Sequence, residues 1–128
     1  MLEEEITQKI LAAAFKVHAS LGAGLLESAY KNCLFHQMNL DGLQVEKEKS
    51  MPLSYNGIDL DVGYRLDLIV ENKVVVEIKT VKEFDDVHIA QTVTYLRLSK
   101  CKVGLLLNFK VASLKKGIKR VILDKNNT

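Results

Sequence analysis

The stretch Tyr64-Arg65-Leu66-Asp67-Leu68-Ile69-Val70, Glu71-Asn72-Lys73, Val74-Val75-Val76-Glu77-Ile78-Lys79-Thr80 decides the fold. Apolar, largely branched residues on both sides of a three-residue polar break read as a β-hairpin. In its second strand the period of two puts Glu77 and Lys79 on one face, and Val74, Val76 and Ile78 on the other. With Glu71, Asn72 and Lys73 as the loop, Val70 pairs with Val74 and Asp67 falls opposite Glu77. A two-residue loop would send the two carboxylates to opposite faces. Directly opposed acids repel, so the first register calls for a cation between them. An Asp–Lys ion pair is the plain alternative, but it accounts for one acid only, and exposed pairs contribute just ~0–1 kcal/mol.

Upstream, Ile6, Ile10, Ala13, Val17 and Leu21 recur at helical spacing, with acids in the first turn and Gly22 as a stop. A second helix is expected from near Gly24 through Leu26, Tyr30, Cys33, Leu34 and Met38 to a Gly42 cap. Leu43 to Tyr55 reads as extended, and Asn56-Gly57 is a strong turn signal into a return strand from Ile58, with a bulge or bend at Gly63. Beyond the hairpin, Asp86 to Ser99 reads as a helix, Lys102 to Phe109 as a buried strand and Ile118 to Leu123 as a last short strand. The order α-α-β-β-β-α-β-β predicts an α/β fold, with a right-handed crossover and a mixed sheet covered by helices. With no repeat or Pro/Gly-rich linker, residues 1–128 read as one domain.

At 128 residues and 48% hydrophobic, the chain can bury one ordinary core without disulfides or a structural metal. The net charge of +2 hides a polarity: nine Lys or Arg against one acid from Arg97 onward, and nine against fifteen before it. A basic segment beside an acidic, cation-requiring site suits a polyanionic substrate. Lys115, Lys116, Lys119 and Arg120 are candidate phosphate contacts, the alternative being an ordinary solvated face. Cys33 and Cys101 have no metal-ligand spacing and read as free thiols of a reducing compartment. Glu3-Glu4-Glu5 has the wrong charge for a targeting peptide, and no apolar run approaches the ~20 residues that span a bilayer. A soluble cytoplasmic protein with no membrane partner is expected.

Asp67, nine intervening residues, then Glu77-x-Lys79 on consecutive strands resembles the PD-(D/E)XK nuclease signature, with Leu66 where the motif's name has Pro. Gly24-Leu25-Leu26-Glu27-Ser28-Ala29-Tyr30 matches the motif of the GxxExxY family within that superfamily, and Gln91-Thr92-Val93-Thr94-Tyr95 resembles a Gln-x-x-x-Tyr element of some superfamily nucleases. The similarity runs from about Ile6 to Leu123. It implies a restriction-endonuclease-like core and a nuclease acting on DNA. It also implies Asp67 and Glu77 as metal ligands, a further ligand in the backbone carbonyl of Ile78, and a first-helix Glu27 approaching the metal. Mg²⁺, with Mn²⁺ as a substitute, suits hard oxygen donors, and a bound Mg²⁺ activates water and neutralises phosphoryl charge. Lys79 would stabilise the developing oxyanion or orient the attacking water.

Other candidates carry two readings each. Glu27 in the first helical turn also gains from the helix dipole, and Tyr30 one turn later is a core tyrosine or a substrate contact. His88, Gln91 and Tyr95 share a helix face: Gln91 could bond a phosphate or position Lys79, Tyr95 could reach a phosphate or stack on a base, and His88 is a substrate contact or a structural residue. The alternative function is a catalytically silent nuclease-fold module that binds nucleic acid or regulates. So short a chain has little room for substrate-selecting loops, which points to a homodimer or a protein partner.

Overall fold

The structure is a computed structural model that describes residues 1–123. Two helices, α1 (Glu3–Leu21) and α2 (Glu27–Leu40), precede three strands, β1 (Val45–Tyr55), β2 (Ile58–Val70) and β3 (Val74–Lys79). Helix α3 (Asp86–Ser99) leads to β4 (Val103–Asn108), and a 3₁₀ turn at Leu114–Gly117 leads to β5 (Ile118–Ile122). The sheet order is β1-β2-β3-β4-β5. Among the described residues only β3 and β4, joined through α3, run parallel; the other neighbours are antiparallel. This is the α/β order expected from the sequence, with the 3₁₀ turn added.

The periodicities explain the layers. Ile6, Ile10, Ala13, Ala14 and Val17 form the buried stripe of α1 and join Tyr30, Leu34 and Met38 of α2 against Leu68, Val70, Val74, Val76 and Ile78. On the other sheet face, Leu96 of α3 packs with Leu66, Ile69, Val75, Leu106 and Val121. Gly104 makes that approach close: a Cβ there would stand 3.1 Å from Thr92 Cγ2 and 3.2 Å from Leu96 Cδ2.

Two departures bear on the site. Helix α2 begins at Glu27 rather than near Gly24, because Leu26 is extended and the Tyr30 hydroxyl pins the link before it, accepting from the Leu25 N–H (3.0 Å) and donating to the Gly22 carbonyl (2.5 Å). The second is in the β1–β2 hairpin, where pairing shifts between Met51 and Leu53 so that Pro52 lies opposite a β2 segment holding Gly63 at φ 85°. The expected bulge at Gly63 is there, and it slides the whole β1 register relative to the Asn56-Gly57 turn.

Candidate active site

The β2–β3 loop is Glu71 to Lys73, with Glu71 and Asn72 both at φ 54°, and Val70 pairs with Val74. The ladder ends at Leu68 opposite Val76, so Asp67 and Glu77 stand at the next level, where backbone pairing stops. Their side chains take over. The Asp67 N–H donates to Glu77 Oε2 and the Ile78 N–H donates to Asp67 Oδ2, each at 2.8 Å. This clasp fixes both carboxylates and consumes one oxygen of each. Among the described residues Glu77 Oε1 makes no hydrogen bond, and Asp67 Oδ1 has only an ammonium nearby.

Glu77 is 4% exposed. Burial first, and then the neighbouring Asp67 charge, push its carboxyl up to about 8, despite the Asp67 backbone hydrogen bond and the Lys79 charge, which pull it down. The metal-free site therefore resists holding both acids ionised. Lys79, two residues on along the same strand face, makes no ion pair among the described residues. The lysine that does approach Asp67 is Lys31 of α2: its ammonium lies 3.9 Å from Asp67 Oδ1 and 3.1 Å from Glu48 Oε1. Glu48 sits between the pairs Lys47–Leu68 and Lys49–Leu66, hence opposite Asp67, with φ 54°. A left-handed non-glycine residue costs roughly 1–2 kcal/mol. Lys31, by hydrogen bond and charge, holds the Glu48 carboxyl below the usual range.

The remaining candidates separate. Glu27 is exposed at the start of α2, and its charge adds to the upward pressure on Glu77. Gln91 and Tyr95 line an open cavity of about 280 Å³ with Tyr64, Val87, Ala90 and Thr94. The Tyr95 phenol is pushed up by burial and then by Glu77 and Asp67, which places it within electrostatic reach of the acids. Tyr64 meets the Tyr95 ring edge-on at 6.2 Å.

For two residues that carried two readings each, the structure supports the scaffold one. Tyr30 is fully buried, stacked on Phe109 at 4.6 Å with its hydroxyl committed to the Gly22–Leu25 link, so it is a core tyrosine. His88 is a helix cap: its Nδ1 accepts from the Asp85 N–H at 3.1 Å while the Asp85 carboxylate accepts from Val87 and His88 N–H.

The basic residues do not share one face either. Leu106 pairs with both Glu77 and Lys119, so Lys119 lies on the face of the acids, two strand spacings or roughly 10 Å away. Arg120 pairs with Leu105 on the opposite face and binds Glu4 of α1 at 3.3 Å. Lys115 and Lys116 are exposed on the 3₁₀ turn that follows β4.

Sequence reasoning missed Lys31, Glu48, Tyr64 and Asn108. Lys31 had a signal, one helical turn from Glu27. Glu48 had none, because counting back from the Asn56-Gly57 turn without the bulge puts Glu46 opposite Asp67. Asn108 is 2% exposed and ties down the segment after Lys79: Nδ2 donates to the Val81 carbonyl at 2.7 Å, and Oδ1 accepts from Val81 and Lys110 N–H.

No helix among the described residues is long and apolar enough to cross a membrane. Comparison with curated proteins finds no match. Among solved structures, that of SSO0001 is similar in fold, with a TM-score of 0.58 and 20% identity over 97% of this chain and 62% of the other. A family model described as the PD-(D/E)XK nuclease superfamily matches residues 4–121, a span that holds both halves of the Asp67–Glu77 clasp and all three layers around it, and the chain belongs to that superfamily.

Proposed function

We propose that this protein is a Mg²⁺-dependent nuclease that hydrolyses phosphodiester bonds in DNA, of the GxxExxY kind, with Mn²⁺ able to replace Mg²⁺. Membership of the superfamily supports nuclease chemistry on a nucleic acid with a divalent metal. The observation that carries the proposal is the clasp: two carboxylates held by each other's backbone, each with one oxygen outside the clasp, beside a Lys79 that makes no ion pair among the described residues. That donor set suits a hard cation, and the Ile78 carbonyl completes the proposed ligands, with Glu27 nearby.

When bound, the metal supplies an activated water and neutralises charge on the phosphoryl oxygens. The chain's own contribution is positional. Asp67 and Glu77 hold the cation, the Lys79 ammonium stabilises the developing oxyanion or orients the attacking water, and Gln91 and Tyr95 contact the strand. The phosphates beyond it are held by exposed Lys115, Lys116 and Lys119, with Arg120 the least suited of the four because it faces α1.

One observation favours the catalytically silent module instead: the Lys31 ammonium stands 3.9 Å from Asp67 Oδ1, the oxygen a metal would engage. Cleavage assays on single-stranded, duplex and branched DNA and RNA with Mg²⁺ or Mn²⁺, beside Lys79→Ala, decide between them. Metal-dependent cleavage lost in Lys79→Ala is expected. Binding without cleavage on every substrate establishes the silent module.

A further inference from the structure

We propose that Lys31 is a built-in counter-ion that competes with the metal for Asp67, and so sets the cation affinity of the site. The inference rests on the metal-site reading above. The Lys31 ammonium stands 3.9 Å from Asp67 Oδ1, the oxygen left over after Oδ2 has taken the Ile78 N–H. Its side chain is only 16% exposed, so solvent screens its field poorly. A divalent cation engaging that oxygen meets the ammonium's repulsion.

Glu48 makes the arrangement reversible. It lies opposite Asp67, and its left-handed backbone takes it out of the strand ladder, with its carboxylate 3.1 Å from the Lys31 ammonium. Lys31 can therefore release Asp67 without becoming an unpaired, half-buried charge. The three residues come from α2, β1 and β2, so this balance exists only in the folded chain. Without metal, the ammonium offsets part of the repulsion between the acids; with metal, it gives up Asp67 and keeps Glu48.

The test is calorimetric titration with Mn²⁺ alone, in the absence of nucleic acid, on wild type, Lys31→Met, Lys31→Gln, Lys31→Arg, Glu48→Gln and the Lys31→Met/Glu48→Gln double variant. Removing the ammonium should tighten Mn²⁺ binding about tenfold. Lys31→Arg keeps the charge and should bind as wild type does. Glu48→Gln takes away the alternative partner and should bind more weakly, with a smaller loss in the Lys31→Met background. Lys31→Gln serves if Lys31→Met melts before the titration temperature. Mn²⁺ binding by the neutral variants that is no tighter than wild type overturns the proposal, as does a Glu48→Gln loss of equal size in both backgrounds. Binding by Lys31→Met where wild type shows none supports it. If no variant and no wild type binds Mn²⁺, the metal-site reading itself falls and takes this inference with it.

Discussion

Glu77 is where the sequence's two acids become a measurable strain. Its carboxyl is raised from an ordinary 4.5 to about 8, chiefly by burial and then by Asp67. Between those values the folded protein holds a proton that the unfolded chain has lost, so this group's contribution to stability falls as pH rises through the window. In chelator, Glu77→Gln should remove that slope, becoming more stable than wild type by a few kcal/mol at about pH 8.5 and nearly equal to it near pH 4.5. Denaturant titrations at the two pH values read the difference directly. Asp67→Asn separates the metal-site reading from an ion pair. The Asn carbonyl can still accept from the Ile78 N–H, and Lys31 keeps Glu48 at 3.1 Å. The metal-free variant should therefore match wild type within about 1 kcal/mol, yet lose any rise in Tm with Mg²⁺ or Mn²⁺. A variant destabilised equally with metal and with chelator would return Asp67 to an ordinary ion-pair role.

The elements position the site through two close contacts. Helix α3 brings Tyr95 within electrostatic reach of the acids, with Gln91 on the same cavity, and Gly104 lets Thr92 and Leu96 sit almost on the backbone of β4. Gly104→Val should push the helix outward and cost about 1–3 kcal/mol by overpacking, and it should lower nucleic-acid affinity even where the protein remains folded. Retained affinity at reduced stability would dissociate α3 from substrate contact. At the start of α2, the Tyr30 hydroxyl holds the Gly22–Leu25 link and so fixes where Glu27 and Lys31 begin. Tyr30→Phe keeps the stacking on Phe109 and loses both hydrogen bonds. It should lower stability by about 1–2 kcal/mol, measurable by thermal melt, and a change beyond about 3 kcal/mol would mean that the ring packing had also moved.

At the scale of the whole molecule, basic residues that are neighbours in the chain divide between the two sheet faces. Lys119 stands on the face of Asp67 and Glu77, whereas its neighbour Arg120 points to the α1 layer and pairs with Glu4. Neutralising Lys119 should weaken nucleic-acid binding and flatten the dependence of log K on log salt by about 0.7–0.9, one phosphate contact. Neutralising Arg120 should leave that slope unchanged. Binding isotherms over a salt series distinguish the two, and equal effects would show that the strand wraps the sheet edge and reaches both faces.

The sequence by itself determined the element order, the β2–β3 register and the adjacency of Asp67 and Glu77, because strand alternation and a three-residue loop are local properties. It also marked α3 to the residue, from Asp86 to Ser99, and the turn at Asn56-Gly57. It could not decide whether Tyr30 and His88 were site or scaffold, since a tyrosine or histidine reads alike on either side of a helix until its neighbours are known. Nor could it bring Lys31 and Glu48 to Asp67. That meeting depends on a bulge that slides β1 and on the packing of α2 against the sheet, both set by contacts between residues far apart in the chain.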